Sequence, residues 1–265
     1  MKLKSRICSG LIIAVLGIVV AYTYLYIRWR PTWQPVEPQS SYQVHAYVND
    51  TLRVIMIGDS WAALHYEWGH DTKLSKLLCE QTNRPVQMIA KGKGGAKSGD
   101  IYLMMFRESN LNTRLCTQPL IELAPDYAVI TAGINDAAAN VGTNYFCENY
   151  LLIIRHLLSC GICPVVVEMP DVDIEGLYGS KPLKDYVVDR LRSWMTHVSF
   201  YDVRPYREAL YDRLLKENLM DSVIYVSLNQ WQPSYIEDGV HLNAVGYHRL
   251  DSCLAASVAE RLKQM

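Results

Sequence analysis

Residues 54 to 61 read VIMIGDSW. A run of branched and apolar side chains stops at a glycine, and a carboxylate, a hydroxyl and an indole follow. This is the pattern of a buried strand turning tightly into a helix. Ser60 then has two readings. It can cap the helix, because its hydroxyl can accept a backbone N–H in the first turn. It can also be a nucleophile held at a strand end. The choice depends on what the remaining sequence brings beside it.

Similar short apolar runs recur downstream: LRVIMI (52–57), PVQMIA (85–90), DYAVITA (126–132), CPVVVEM (163–169) and VSFYDV (198–203). Between them lie amphipathic stretches at 61–82, 99–111, 144–159 and 183–196, and a last one runs from Asn243 to the end. Near-continuous apolar strands separated by helices predict a parallel sheet covered on both faces. The expected fold is an open, doubly wound, flavodoxin-like α/β/α sandwich of about five strands. With 265 residues, half of them hydrophobic, the chain can fill one such core.

The formal net charge is −1, and no block of Lys and Arg follows the N-terminus, which argues against a nucleic-acid partner. Six cysteines follow Cys8; CGIC (160–163) reads as two structural thiols at a strand start rather than a metal or redox motif. A short basic tail (1–6) precedes ICSGLIIAVLGIVVAYTYLYI (7–27), 21 residues without a charge. At 1.5 Å per residue this matches a hydrocarbon core of about 30 Å and predicts a transmembrane anchor. Tyr22, Tyr24, Tyr26 and Trp29 form an aromatic belt at its far end. Lys2, Lys4 and Arg6 against Arg28 and Arg30 favour the N-terminus inside, with the rest extracytoplasmic. A signal sequence cleaved near Val19–Ala21 is the alternative, and the product would be secreted. The proline-bearing stretch 28–50 reads as a spacer, which leaves 51–265 as the main domain.

In doubly wound sheets, ligands sit at the carboxyl ends of strands. Those ends carry GDSW (58–61), KGKGGAKSGD (91–100), GINDAAAN (133–140) and EMPDVD (168–173), and DGVHLN (238–243) precedes the last helix. Acyl transfer needs a nucleophile, a base, a group that orients the base, and donors for the oxyanion. Ser60, His241 and Asp238 supply the first three. The Ser60 backbone N–H, a backbone N–H at Gly95 and the side-chain amide of Asn135 supply the donors. The set is complete without a metal or cofactor. Trp61 and Gly92 are candidates for contact with substrate, and Tyr66 and Trp68 are candidates for a cleft wall. His65 and His70 are five apart and do not share a helical face, so they read as solvated or rim residues.

These blocks resemble the SGNH hydrolases, the GDSL lipase/esterase family. Gly58-Asp59-Ser60-Trp61 matches its serine motif, Gly133-Ile134-Asn135-Asp136 its GxND block and Asp238-Gly239-Val240-His241 its DxxH block. Gly95 fits its second-strand glycine best, with Gly92 as the alternative. The resemblance spans about residues 52 to 262. It implies Ser60 as nucleophile, Asp238 and His241 as triad partners, and Ser60, Gly95 and Asn135 as the oxyanion hole. Trp61 replaces the common leucine, and GAKS (95–98) replaces a typical Gly-Asp-Thr. The implied activity is ester hydrolysis through an acyl-enzyme. O-acetyl or other short acyl esters of envelope glycans are the leading substrates; a lysophospholipid-type ester or transfer to a sugar hydroxyl is the alternative. Two rivals belong to other classes. A catalytically silent binding domain on this fold would lack esterase activity. A phosphate cradle at GKGGAKSG fails because Ala96 stands where a P-loop needs glycine.

Overall fold

The structure is a computed structural model that describes residues 2–29, 50–109, 112–178, 182–228 and 231–264. The chain divides into two units, 1–36 and 37–265. The first holds helix α1 (Lys2–Trp29), whose described side chains, 11–24, are all exposed. Among the described residues no helix is long and apolar enough to cross a membrane, so the span expected at 7–27 is not borne out there. The spacer expected at 28–50 lies, apart from its ends, outside the described residues.

The second unit alternates strands and helices. Its first half contains β1 (Leu52–Gly58), α2 (Ser60–Glu67), α3 (His70–Thr82), β2 (Val86–Gly92), α4 (Ser98–Met104), α5 (Gln118–Ile121) and β3 (Tyr127–Thr131). Then come α6 (Ile134–Ala138), α7 (Thr143–Ser159), β4 (Cys163–Val167), α8 (Ile174–Tyr178), α9 (Leu183–Thr196), α10 (Arg204–Lys216), β5 (Ile224–Val226) and α11 (Ala244–Lys263). The five strands are all parallel, in the order β2-β1-β3-β4-β5. That is the doubly wound arrangement, in which the chain winds outward in both directions from β1 and β3. α3 packs on α11 on one side of the sheet, while α7 packs on α4 and α10 on the other. Val54, Met56, Ile57, Val129, Ile130, Val165 and Val166 are buried between these layers.

Two expectations need correction. VSFYDV (198–203) is not a strand. It is the link between α9 and α10, and Tyr201 takes a left-handed φ of 64° that no extended strand permits. Val198 and Val203 are buried plugs, which is why the segment looks apolar. The fifth strand is Ile224–Val226, paired with Val165–Val167. Likewise, the helix expected over 61–82 breaks at Gly69, whose φ of 67° separates α2 from α3.

The first strand end is built around Gly58. A Cβ there would overlap the carbonyl and hydroxyl of Thr131 at the end of β3. This close approach lets the Asp59 N–H donate to the Thr131 carbonyl (3.1 Å), which brings the ends of β1 and β3 side by side. Gly58→Ala should therefore cost about 1–3 kcal/mol in denaturant unfolding, the range for overpacking. Gly94→Ala, with open space around its Cα and an ordinary φ, should stay within about 0.5 kcal/mol of the parent.

Candidate active site

The cap of α2 is Asp59, not Ser60. The Asp59 Oδ1 accepts the Trp61 N–H at 3.0 Å, which leaves the Ser60 hydroxyl free for other work. Ser60 is the first residue of the helix. Its own N–H therefore belongs to the unpaired set at a helix start.

Asp238 and His241 lie in a closed loop. Ile236 and Leu242 form an isolated antiparallel bridge, and the Glu237 N–H donates to the His241 carbonyl at 2.8 Å. Inside this loop the Asp238 carboxylate accepts three hydrogen bonds. His241 Nδ1–H donates to Oδ2 at 2.6 Å, the His241 backbone N–H to Oδ1 at 2.9 Å, and the Val240 N–H to Oδ1 at 3.2 Å. Partial burial pushes the Asp238 carboxyl up, but the bonds from His241 and Val240 outweigh it and hold the group below the usual carboxylate value. Asp238 is thus an anion that fixes the imidazole with Nδ1 protonated, leaving Nε2 as the acceptor. His241 Nε2 lies 3.1 Å from Ser60 Oγ. The His241 and Asp238 side chains are 29% and 42% exposed, so the assembly opens to solvent.

Asn135 stands in the first turn of α6, directly after β3, and its Nδ2 donates to the Ala96 carbonyl at 3.0 Å. One Nδ2 hydrogen remains. Gly95 is exposed in the turn closed by the Ala96 N–H to the Lys93 carbonyl, with φ +75°. Its N–H has no partner among the described residues. Gly92 differs. A Cβ there would collide with the first turn of α2, at the Asp59 carbonyl and Ala63 N–H, so its role is close packing rather than substrate contact. Trp61 also departs from expectation. It is 3% exposed, its indole Nε1 donates to the Val240 carbonyl at 2.9 Å, and it cannot offer a surface to substrate. A cavity of about 10 Å³ lies against it, walled by Asp59, Thr131, Ile134, Val167 and Met169. Tyr66 and Trp68 are exposed.

His65 and His70 are not rim residues either. Both are buried and both meet the buried Asp251 of α11. A signal for this was present. Asp251 sits in the stripe Tyr247–Asp251–Leu254–Val258 that otherwise packs apolar side chains inward. Asp136 was a second omission. Its buried carboxylate accepts from the Ser98 N–H (2.9 Å) and the Ser98 hydroxyl (2.6 Å), tying α4 and the glycine loop to α6. Among the described residues no group of three His, Cys, Asp or Glu side chains is placed to hold a metal ion. Cys79, Cys116, Cys147, Cys163 and Cys253 are free thiols.

Burial pushes the Asp136 carboxyl up to about 7, and the bonds from Ser98 offset this only in part. Between an unfolded value of about 4 and about 7, the folded chain binds a proton that the unfolded chain does not. Stability from this group is full below the lower value and is lost as pH rises through the upper one. Asp136→Asn keeps the shape and removes that loss. The variant should therefore be less stable than the parent by a larger margin at pH 5 than at pH 8, as read by urea unfolding.

The profile of the GDSL-like Lipase/Acylhydrolase family matches residues 56–249. Among solved structures, the lipase/acylhydrolase from Enterococcus faecalis is 20% identical, with 79% of this chain and 96% of that chain covered and a TM-score of 0.53. Esterase EstA from Pseudoalteromonas sp. is 13% identical over 81% of this chain and 100% of that chain, with a TM-score of 0.54. The lipase Lip_vut3 from a goat rumen metagenome is 14% identical over 78% and 97%, with a TM-score of 0.51. At these identities the structural likeness bears on the fold. A search of curated proteins finds no match.

Proposed function

The chain belongs to the GDSL-like Lipase/Acylhydrolase family, and from that premise we propose that it is a serine ester hydrolase in which Ser60 attacks, His241 moves the proton and Asp238 orients His241. The observation that carries the reading is the relay itself, 3.1 Å from Ser60 Oγ to His241 Nε2 and 2.6 Å from Nδ1 to Asp238. His241 Nε2 takes the hydroxyl proton as Ser60 Oγ bonds to the ester carbonyl carbon. The developing oxyanion is met by the Ser60 N–H, the Gly95 N–H and the remaining Asn135 Nδ2–H. Collapse breaks the bond to the leaving alcohol, which takes its proton from His241 Nε2. Water then repeats the sequence on the acyl-serine and restores the enzyme. Substrate preference is proposed to lie with acetyl or other short acyl esters, with O-acetylated envelope glycans as the leading class. This preference rests on the extracytoplasmic setting read from the uncharged stretch 7–27, where acylated glycans are within reach.

The test compares the parent chain with Ser60→Ala and Asn135→Ala on p-nitrophenyl acetate, p-nitrophenyl octanoate and acetylated glycans. Ser60→Ala should lose roughly 10⁴-fold or more in kcat, and Asn135→Ala about 10²- to 10³-fold. Ester cleavage that survives in Ser60→Ala would remove the serine from the mechanism. A parent that prefers octanoate would overturn the short-acyl reading.

Anchoring at the N-terminus is proposed as well, with the hydrolase unit extracytoplasmic. Its support is the uncharged stretch 7–27 within a helical backbone 28 residues long, which at 1.5 Å per residue is roughly 42 Å. After alkaline carbonate extraction the full chain should stay in the membrane pellet, and residues 29–265 alone should be soluble. A full chain released by carbonate contradicts the anchor.

A further inference from the structure

Behind the serine helix, three ionisable side chains from three helices meet in the buried interior. His65 lies in the last turn of α2, His70 begins α3 and Asp251 lies in the middle of α11, and none is more than 2% exposed. His65 Nε2 stands 2.8 Å from Asp251 Oδ1, and His70 Nδ1 stands 3.4 Å from Oδ2. A carboxylate only accepts, so each facing nitrogen carries the hydrogen. Tyr247, one turn before Asp251, stacks on His70 at 4.6 Å between ring centres and meets His65 edge-on at 5.7 Å. Its hydroxyl donates to the Trp61 carbonyl at 3.0 Å.

These contacts close a circuit. α11 is tied to α2 through Asp251–His65 and Tyr247–Trp61, and Trp61 in turn donates through its indole to Val240, the neighbour of His241. The cap of α11 is Asn243, only two residues past His241, and its Oδ1 accepts from the Val245 and Gly246 N–H groups. Ser60 begins α2, and His241 immediately precedes α11. The gap between nucleophile and base is therefore the offset between two helices. Apolar side chains tolerate sliding of one helix on another. A buried carboxylate with two imidazole donors does not, because any slip leaves buried polar groups unpaired.

We propose that Asp251 is a positioning residue for the reaction at Ser60: through His65 and His70 it locks α11 against α2 and α3 and so sets the Ser60–His241 distance. This rests on the reading of Ser60 as nucleophile and His241 as base. The cluster touches neither substrate nor the reacting atoms, and its effect is on geometry. Loss of Asp251 lowers the rate of attack without weakening the binding of a small ester.

The experiment uses the full chain as parent, Asp251→Asn, His70→Phe and Ser60→Ala. Each is treated with a fluorophosphonate and assayed on p-nitrophenyl acetate below its own melting temperature, with folding checked by circular dichroism. Asp251→Asn keeps the volume but replaces one acceptor with a donor facing an imidazole. The expected result is a roughly 10- to 100-fold loss in both kcat and phosphonylation rate, with KM within about twofold of the parent. A folded Asp251→Asn with parental kcat and labelling rate overturns the proposal, even if its melting temperature falls. If Asp251→Asn does not fold, His70→Phe decides, since it removes an imidazole donor to Asp251 and keeps a ring stacked on Tyr247. A several-fold loss in its kcat at constant KM supports the proposal, and an unchanged kcat overturns it. A parent that takes no label, or labels as well in Ser60→Ala, overturns the nucleophile reading and this inference with it. A parent that labels at Ser60, beside an Asp251→Asn that labels as fast, overturns this inference alone.

Discussion

A buried hydrogen bond ties the serine helix to the loop that carries His241. The Trp61 indole donates to the Val240 carbonyl at 2.9 Å, across 179 positions of sequence. The sheet by itself delivers Ser60 and Asn135 to one edge, because β1 and β3 are neighbours and their ends are drawn together through Gly58 and Thr131. It cannot deliver His241, which arrives on the loop before the last helix. That loop is held by its own bridge at Ile236–Leu242, by the Asp173 N–H donating to the Gly239 carbonyl, and by Trp61. A tryptophan where leucine is common in the family is thus a tie, with an N–H that leucine lacks.

Around this tie, three aspartates outside the Ser60–His241–Asp238 relay are fully withdrawn from water. Asp59 caps the serine helix, Asp136 grips Ser98, and Asp251 grips two histidines. Burial raises the first to about 6 and the second to about 7, a cost that the Trp61 and Ser98 hydrogen bonds reduce without cancelling. Asp238 differs because it is half open to water and accepts three hydrogen bonds, so it stays ionised and can support a positively charged imidazole. The same side chain serves as fastener or as partner in the relay according to solvent and donor count.

Much of this was legible in the chain. Branched apolar runs ending in glycine or small polar residues marked β1 to β4 because period and punctuation agree there. Ser60, Asn135, Asp238 and His241 were nameable because each lies on a short block at a strand end or before a helix. The link at 198–203 was misread because Val198 and Val203 mimic a strand, and nothing local announces the left-handed Tyr201. α10 lies outside the amphipathic stretches named from the sequence, although Tyr206, Leu210 and Leu214 repeat at helical spacing. His65 and His70 looked solvated because their partner is more than 180 positions away. Distant polar pairing of that kind has no periodic trace.

The most direct test of the account is the mass of the covalent adduct. After fluorophosphonate treatment and digestion, a single phosphonyl group should map to Ser60 in the peptide containing VIMIGDSW, and it should be lost in His241→Ala. An adduct on another residue, or a Ser60 adduct formed as fast without His241, would contradict the relay from which the function has been read.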